Sequence, residues 1–201
     1  MSESNPAPLL VVVSGPSGVG KDATLKRMQA RDMPFHFVVT TTTRARRPAE
    51  VEGVDYHFAS AAEFQEKLAR GDFLEHANVY GNLYGNSRHD IEAALARGAD
   101  VMMRIDVQGA ATIRQRVEGA IFIFLISTLA ELEARLRARK TETEDALRVR
   151  LQTAEQEMQA RVHFDYCLRN HDSHLDQTVD DIITIMRAEK LKTHARQIKF
   201  K

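Results

Sequence analysis

A glycine-rich loop near the start of the sequence has the residues needed to bind phosphate. Gly15 and Gly20 are separated by four residues, and Lys21 follows directly. Because glycine has no Cβ, successive backbone N–H groups can curl around an anion, and the lysine can reach the outer phosphates of a nucleotide. A strand before the loop and a helix after it would point the positive end of the helix at the same anion. The spacing therefore predicts a site for nucleotide phosphates.

The residue after this lysine departs from the usual pattern of such loops. The position normally holds Ser or Thr, whose hydroxyl group ligates Mg²⁺, whereas this chain has Asp22. The Asp22 carboxylate could ligate Mg²⁺ directly, hold it only through water, or not touch it at all.

Alternating strands and helices are predicted to position the loop. Residues 9–13 form an unbroken aliphatic run that is typical of a strand buried on both faces. Further strands are predicted at 101–105, 120–126 and 166–169, and helices at 21–31, 108–117, 128–139, 142–161 and 176–196. Strands that alternate with helices of this length favour βαβ units and a parallel sheet.

Two stretches break this alternation. Residues 37–89 combine short predicted strands at 37–43 and 55–60 with a helix at 61–70, so we expect a small mixed α+β insertion between the first and second core units. Residues 135–150 are dense in charge and lack a strong apolar run, which fits either a solvated helical hairpin or a mobile lid.

The composition disfavours several classes of protein. The chain of 201 residues fits one domain, and its 28 Lys and Arg residues equal its 28 Asp and Glu residues. A net charge of zero disfavours general binding to nucleic acid or to an anionic membrane, because such proteins carry a basic excess. Cys167 is the single cysteine, which excludes an internal disulfide and a cysteine cluster for zinc. The sequence has no recognisable signal peptide or membrane span, so a cytoplasmic location is expected.

Further motifs follow the glycine loop along the chain. In order they are Thr42-Thr-Arg-x-x-Arg47, Glu50-Val-x-Gly-x-Asp-Tyr56, Phe73-Leu-Glu75, Tyr80-Gly-Asn-x-Tyr84-Gly and Ile105-Asp-Val-Gln-Gly109. Together with Gly15-Pro-Ser-Gly-Val-Gly-Lys21 they closely resemble guanylate kinases, and the resemblance extends from about residue 9 to residue 190. It implies phosphoryl transfer from ATP to GMP in the presence of Mg²⁺. ATP and GMP are then the expected partners, and the chain would be a monomer or a homodimer.

The resemblance also implies the fold, which is an α/β phosphate-loop nucleoside-monophosphate-kinase fold. We expect a parallel five-stranded core sheet flanked by helices, with a small mixed α+β GMP-binding insertion and a helical lid. Within the single domain 1–201, the core would lie at about 8–36, 96–130 and 160–196, the insertion at about 37–93 and the lid at about 133–158.

Site residues follow from the same resemblance, position by position. Those implied for ATP are Gly15, Pro16, Ser17, Gly18, Val19, Gly20, Lys21, Asp22, Ala23, Arg135, Arg139 and Asn170. Those implied for GMP are Thr40, Arg44, Arg47, Tyr56, Glu75, Tyr84, Asn86 and Asp106. Catalysis would rest on Lys21, Arg44, Arg139 and Arg150, and Asp22 is the candidate metal ligand.

Elementary chemistry supports the residues implied for GMP. Two guanidinium groups, Arg44 and Arg47, and the phenol of Tyr56 can cradle a dianionic phosphate. Guanine needs an acceptor for its N1–H and 2-amino groups and a donor for O6. The Glu75 carboxylate can accept, and the amide of Asn86 can donate.

A second departure from the family pattern accompanies Asp22. Arg104 stands where guanylate kinases usually have an acidic residue, and in phosphate-loop folds this position faces the residue after the loop lysine. We therefore predict that Asp22 and Arg104 form an ion pair, with side chains no more than about 5 Å apart. Such a pair would leave Asp22 less available to Mg²⁺, and it predicts weakened or altered kinase activity.

The sequence is also compatible with two other functions. Lys21 followed by Asp22 also resembles ribose 1,5-bisphosphate phosphokinases of phosphonate metabolism, whereas Glu75 and Tyr84 are typical of GMP binding. A catalytically silent guanylate-kinase-like binding module is the second alternative, and the retained lysine and arginines argue against it.

Overall fold

The architecture is taken from a computed structural model that describes residues 6–31, 33–79, 81–138, 144–170 and 174–201. Within these residues the strands are β1 (Leu10–Ser14), β2 (Phe35–Phe37), β3 (Thr41–Thr42), β4 (His57–Phe58), β5 (Phe73–Val79), β6 (Asn82–Ser87), β7 (Asp100–Arg104), β8 (Val117–Glu118), β9 (Ile121–Ile126), β10 (Tyr166–Arg169) and β11 (Lys199–Phe200). The helices are α1 (Lys21–Gln29), α2 (Ala61–Ala69), α3 (Arg88–Ala96), α4 (Val107–Arg116), α5 (Leu129–Ala138), α6 (Glu144–Gln159) and α7 (Leu175–Lys190). A 3₁₀ turn at Ala160–His163 follows α6.

The central sheet carries the glycine-rich loop. It has five parallel strands in the order β10-β9-β1-β7-β2, which confirms the predicted parallel core. The middle strand, β1, is fully buried, as expected for a strand covered by helices on both faces. Val13 lies opposite Arg104 where β1 and β7 end side by side. The carboxyl ends of neighbouring parallel strands are where this kind of sheet builds its binding sites.

Helices cover both faces of this sheet. On one face Val11 and Val13 pack in a core cluster with residues of α1 and α7, such as Met28 and Ile182. On the other face Leu10 and Val12 pack in a second cluster that includes residues of α3 and α4. Because side chains alternate along a strand, the aliphatic run of β1 supplies both clusters.

A second sheet lies between β2 and α3 along the chain. Its four strands have the order β4-β3-β6-β5; β3 and β4 are parallel, whereas β6 is antiparallel to both of its neighbours. Ser60 and Glu63 form the predicted capping box at the start of α2. These elements have the mixed α+β character expected of the insertion.

The structure corrects several predicted elements. The strand predicted at 37–43 is wrong, because Phe35–Phe37 joins the central sheet whereas Thr41–Thr42 joins the second one. Helix α3 was not predicted. The last helix ends at Lys190 rather than near residue 196, because the chain then turns into the short strand β11.

Helices α5 and α6 occupy the stretch expected to be a lid. Leu132 of α5 and Ala154 of α6 are buried in the same core cluster as Val19 of the glycine-rich loop. This packing holds both helices beside the loop, and the predicted mobility and limits of the lid stay predictions. No helix in the described part of the chain combines the length and the apolar character needed to cross a membrane.

The last residues of the chain are tied to the core. β11 pairs antiparallel with β8, and the Lys201 N–H donates to the Arg116 carbonyl oxygen over 2.8 Å. The Glu189 carboxylate, whose side chain is 0% exposed, accepts hydrogen bonds from Arg196 at 2.7 Å, Lys192 at 2.8 Å and Tyr166 at 2.5 Å. Burial works to raise the pKa of Glu189, but these bonds outweigh it and hold the pKa at about 2.

Candidate functional site

The glycine-rich loop connects the end of β1 to the first residue of α1. Gly15 and Gly20 have φ angles of 143° and 98°, which side chains other than glycine rarely adopt. A Cβ on Gly15 would lie 2.4 Å from the Leu125 carbonyl oxygen, and one on Gly20 would lie 2.5 Å from the Asn170 side-chain amide. Both positions therefore require glycine for conformation and for space.

Lys21 folds back over this loop. Its Nζ donates to the Gly15 carbonyl oxygen at 2.6 Å and to the Pro16 carbonyl oxygen at 3.2 Å. Burial lowers the pKa of Lys21, while the Glu157 and Asp22 carboxylates act in the opposite direction. The ammonium group thus lies inside the loop, where the outer phosphates of a bound nucleotide would meet it.

Glu157 of α6 is a residue of the site that sequence reasoning missed. Its Oε2 accepts the Ser17 backbone N–H over 3.2 Å, and that N–H belongs to the loop expected to bind phosphate. Burial raises the pKa of Glu157, and the nearby Lys21 charge opposes this rise. No motif marks Glu157, because it is one of many charged residues on a charge-rich helix.

Arg135 and Asn170 support the loop through its backbone. The Arg135 guanidinium donates to the Val19 carbonyl oxygen at 2.8 Å and to the Asn170 carbonyl oxygen at 2.9 Å. The Asn170 side-chain amide donates to the same Val19 oxygen at 2.7 Å and accepts from Thr178 at 3.1 Å. These contacts give both residues a role in shaping the loop, and their contact with ATP stays a prediction. Arg139 and Tyr80 lie outside the described residues.

Asp22 and Arg104 form the predicted ion pair. Arg104 Nη1 lies 3.1 Å from Asp22 Oδ1, and the Arg104 side chain is only 11% exposed. Arg104 Nη2 also donates to the Asp55 carbonyl oxygen at 3.1 Å, and its guanidinium lies 4.7 Å from the centre of the Tyr56 ring. The pair therefore joins the start of α1 to the end of β7 and to the second sheet's loop.

The side chains around Asp22 do not fit a Mg²⁺ ion held by the protein alone. Among the residues that the structure describes, no three His, Cys, Asp or Glu side chains converge on a possible metal position. The guanidinium group beside Asp22 would also repel a cation bound to the same carboxylate. A Mg²⁺ ion here would need most of its ligands from phosphates and water.

A buried polar chain forms the pocket implied for guanine. Thr40 Oγ1 donates to Asn86 Oδ1 at 2.9 Å, and Asn86 Nδ2 donates to Glu75 Oε2 at 2.8 Å. Burial raises the pKa of Glu75 to about 7, with the Asn86 bond opposing the rise and Asp106 adding to it. Asp106 Oδ1 accepts the Gly109 N–H at 2.9 Å and so caps α4 beside the pocket.

A cluster of cations and phenols lies on the second sheet. Arg44 Nη2 donates to Glu50 Oε1 at 2.7 Å, and the Arg47 backbone N–H donates to Glu50 Oε2 at 2.8 Å. The Arg44 guanidinium lies 5.1 Å from the centre of the Tyr56 ring, which packs edge-on against Tyr84. Burial raises the pKa of Tyr56 to about 12, so its hydroxyl remains a hydrogen-bond donor at neutral pH.

One cleft brings most of the predicted residues together. Those that line it are Gly15, Ser17, Gly18, Val19, Gly20, Lys21, Asp22, Thr40, Arg44, Arg47, Tyr56, Glu75, Tyr84, Asn86, Asp106 and Arg150. Of the predicted residues that the structure describes, Pro16, Ala23, Arg135 and Asn170 are outside this lining. Lining residues without a predicted binding role are Val79, Asn82, Arg104, Ile105 and Glu157. The cleft thus brings together the glycine-rich loop, the buried Glu75 carboxylate and the cluster of Arg44, Arg47, Tyr56 and Tyr84, which we call the anion cradle for the role expected of it.

Comparisons with known proteins point in the same direction. The guanylate kinase family model matches residues 8–189. The chain is 46% identical over 195 residues to guanylate kinase 2, chloroplastic/mitochondrial, of Oryza sativa subsp. japonica, covering 96% of this chain and 68% of that protein. It is 38% identical over 185 residues to the guanylate kinase of Carboxydothermus hydrogenoformans, covering 92% and 90%. The crystal structure of guanylate kinase from Anaplasma phagocytophilum matches with a TM-score of 0.79 at 30% identity, over 94% of this chain and 89% of that one.

Proposed function

The chain belongs to the guanylate kinase family, and on that basis we propose that it transfers the γ-phosphoryl group of ATP to GMP, giving ADP and GDP. The observation that carries this proposal is the joining of two recognition sites in one cleft. The loop around Lys21 suits the phosphates of a donor nucleotide, and the Glu75–Asn86 pair suits a guanine base.

Selectivity for GMP follows from the buried carboxylate. Glu75 is 1% exposed, so a base bound there must supply the hydrogen-bond donors that water would otherwise provide. Guanine presents its N1–H and 2-amino groups to such an acceptor, whereas the corresponding edge of adenine offers an acceptor at N1. Binding AMP would leave the carboxylate unsatisfied, and leaving a buried polar group unpaired gives strong discrimination.

Catalysis in this proposal is positioning and charge stabilisation. The acceptor is the phosphate of GMP itself, so no covalent protein nucleophile is required. Lys21 lies at the donor loop, Arg44 lies in the anion cradle and Arg150 lines the same cleft. Their positive charges would stabilise the negative charge on the oxygens of the phosphoryl group during its transfer. Arg139, implied for the same task, lies outside the described residues.

We expect Mg²⁺ to bind together with ATP. The residues beside Asp22 do not form a metal site by themselves, so we expect the ion to arrive already ligated by the phosphates and water. The expected absence of nucleic-acid binding, the monomeric or homodimeric state and the cytoplasmic location stay predictions.

The two alternative functions have less support. A ribose 1,5-bisphosphate kinase has no need for the buried Thr40–Asn86–Glu75 chain, which matches a base. A silent binding module has no need for Lys21 inside the loop or for Arg44 and Arg47 beside one another at the cleft.

A coupled assay for ADP formation tests the proposal. ATP is combined in turn with GMP, AMP and ribose 1,5-bisphosphate, and we expect turnover with GMP alone. Lys21→Met is the matched control, because it removes the loop cation and so shows that the activity comes from this chain. Turnover with ribose 1,5-bisphosphate but not GMP would select the first alternative, and silence with all three acceptors would select the binding module.

A further inference from the structure

Arg104 lies between the two halves of the cleft. It is the last residue of β7, and each of its terminal nitrogens contacts a different part of the molecule. Nη1 pairs with Asp22 at the start of α1, and Nη2 donates to the Asp55 carbonyl oxygen in the loop before β4. The guanidinium carbon lies over the Tyr56 ring, 4.7 Å from its centre. Arg104 thus contacts both the part of the cleft at the start of α1 and the part that carries Tyr56.

A second contact connects α1 to the same loop. Lys26 lies one helical turn after Asp22 on α1, and its Nζ is 2.5 Å from Asp55 Oδ1. The other carboxylate oxygen of Asp55 accepts the Val51 N–H at 2.8 Å. The helix that begins at the phosphate loop is therefore fastened twice to the loop that carries Tyr56.

The two connections differ in how many contacts each residue makes. Lys26 has a side chain that is 56% exposed, so solvent screens its attraction to Asp55. Arg104 has a side chain that is 11% exposed and pairs with Asp22, which is 42% exposed; its guanidinium also donates to the Asp55 carbonyl oxygen and lies beside the Tyr56 ring. Arg104 therefore contacts α1, the Asp55 backbone and the Tyr56 ring together, whereas Lys26 adds a single ion pair to the same connection.

We propose that Arg104 is a positioning residue that couples the binding of ATP to the binding of GMP. The inference rests on the proposed function, because it takes the loop at Lys21 as the ATP site and Tyr56 as part of the GMP site. ATP bound at the loop holds the start of α1 and Asp22, which in turn holds Arg104 against Tyr56. GMP bound at Tyr56 acts through the same contacts in the reverse direction, since coupling between two sites is reciprocal.

Calorimetric titration of GMP, with and without saturating adenylyl imidodiphosphate and Mg²⁺, measures this coupling without turnover. In the wild type we expect the ATP analogue to tighten GMP binding by about tenfold, within the usual range for coupled sites. In Arg104→Met the analogue should tighten it by no more than about twofold. Asp22→Asn with Arg104→Met together should lose no more coupling than Arg104→Met alone, because both act through one contact.

Arg114→Met is the matched control. The Arg114 guanidinium also lies against an aromatic ring, 3.9 Å from the centre of Phe122, and the residue is outside the cleft lining. This variant should keep the wild-type coupling. Wild-type coupling in Arg104→Met, or loss of it in Arg114→Met as well, would overturn the proposal.

The same titrations distinguish a folding failure of the variant, a failure of the coupling and a failure of the proposed function. If Arg104→Met does not fold, Arg104→Lys keeps the charge without the planar fork, and a folded lysine variant with full coupling overturns the proposal. A wild type that binds GMP equally well with and without the analogue contradicts the coupling but leaves the proposed function intact. A wild type that binds no GMP contradicts the proposed function and the coupling together.

Discussion

Asn86 donates its side-chain amide to the Glu75 carboxylate across 2.8 Å, and both residues are 1% exposed. The amide oxygen is held in turn by Thr40, so the orientation of the carboxylate is set before any ligand arrives. Because burial raises the pKa of Glu75 to about 7, the charge of this group changes near neutral pH.

GMP binding should therefore depend on pH through Glu75. Below about pH 7 the carboxyl group is protonated and loses one of its two acceptor oxygens, whereas above about pH 7 both oxygens accept. The dissociation constant for GMP should fall as pH rises from about 6 to about 8, by up to about tenfold for each pH unit below the pKa. Calorimetry across this range measures it.

Glu75→Gln supplies the reference for that measurement. The phosphate of GMP also titrates near pH 6, but the glutamine variant retains only that contribution. We expect it to bind GMP about 100-fold more weakly, because an amide cannot offer two acceptors to guanine. If the dissociation constant of this variant for GMP depended on pH in the same way as that of the wild type, the role of Glu75 would be contradicted.

Removing the Glu157 charge should strengthen ATP binding. The carboxylate accepts the Ser17 N–H and lies close to Lys21, so it competes for groups that a phosphate needs and repels the arriving anion. Glu157→Gln should lower the dissociation constant for ATP by about fivefold, equivalent to roughly 1 kcal/mol. Glu155→Gln, an exposed neighbour on α6, should leave the constant unchanged. Weaker ATP binding in Glu157→Gln would show that the carboxylate supports the nucleotide site.

Exchanging the ion pair should alter the metal requirement. In the wild type we expect Mg²⁺ dependence to follow the formation of the Mg²⁺–ATP complex, because Asp22 is held by Arg104. The double variant Asp22→Ser with Arg104→Asp replaces the ion pair with a hydroxyl group and a carboxylate, both of which can ligate Mg²⁺. This variant should need about three- to tenfold less free Mg²⁺ for half-maximal turnover. Mg²⁺ titrations at fixed ATP compare the two proteins. Equal requirements would show that the pair has no influence on the metal.

Glu189 should make stability depend on acid pH. Its folded-state pKa of about 2 is below the ordinary value of 4.5, so its contribution is full above about pH 4.5 and is lost as pH falls toward about 2. Glu189→Gln should lower the free energy of unfolding at pH 7 by roughly 3 kcal/mol, because it breaks a buried ion pair. Urea unfolding should show this difference shrinking toward pH 3. Glu118→Gln, an exposed partner of Lys201, should change stability little at either pH.

The parts of the site with a strong local pattern could be predicted from sequence. The loop from Gly15 to Lys21 has fixed spacing because backbone conformation and space admit only glycine at Gly15 and Gly20. The Asp22–Arg104 pair could also be predicted, because two departures from one family pattern fell on positions that face each other. Their charges are opposite, and the structure places them 3.1 Å apart.

Other features of the fold and of the site have no signal in the local sequence. β2 is only three residues long and is placed by pairing with β7, a contact between positions about 65 residues apart in sequence. Glu157 reaches the loop across 140 residues, and nothing in its helix distinguishes it from other charged positions. The ring contact of Arg104 with Tyr56 likewise depends on how two sheets meet. Such contacts follow from tertiary packing, which sequence periodicity does not contain.

The pairing of β11 with β8 has a consequence for the order in which the protein is made. β8 directly follows α4, and Arg116 at the end of α4 donates to the Leu74 carbonyl oxygen beside Glu75. A ribosome produces β8 well before β11, because the strand that pairs with β8 begins only at residue 199. Synthesis and pairing therefore run in different orders, because the β8–β11 pair and the Lys201–Arg116 hydrogen bond can form only once residues 199–201 have emerged.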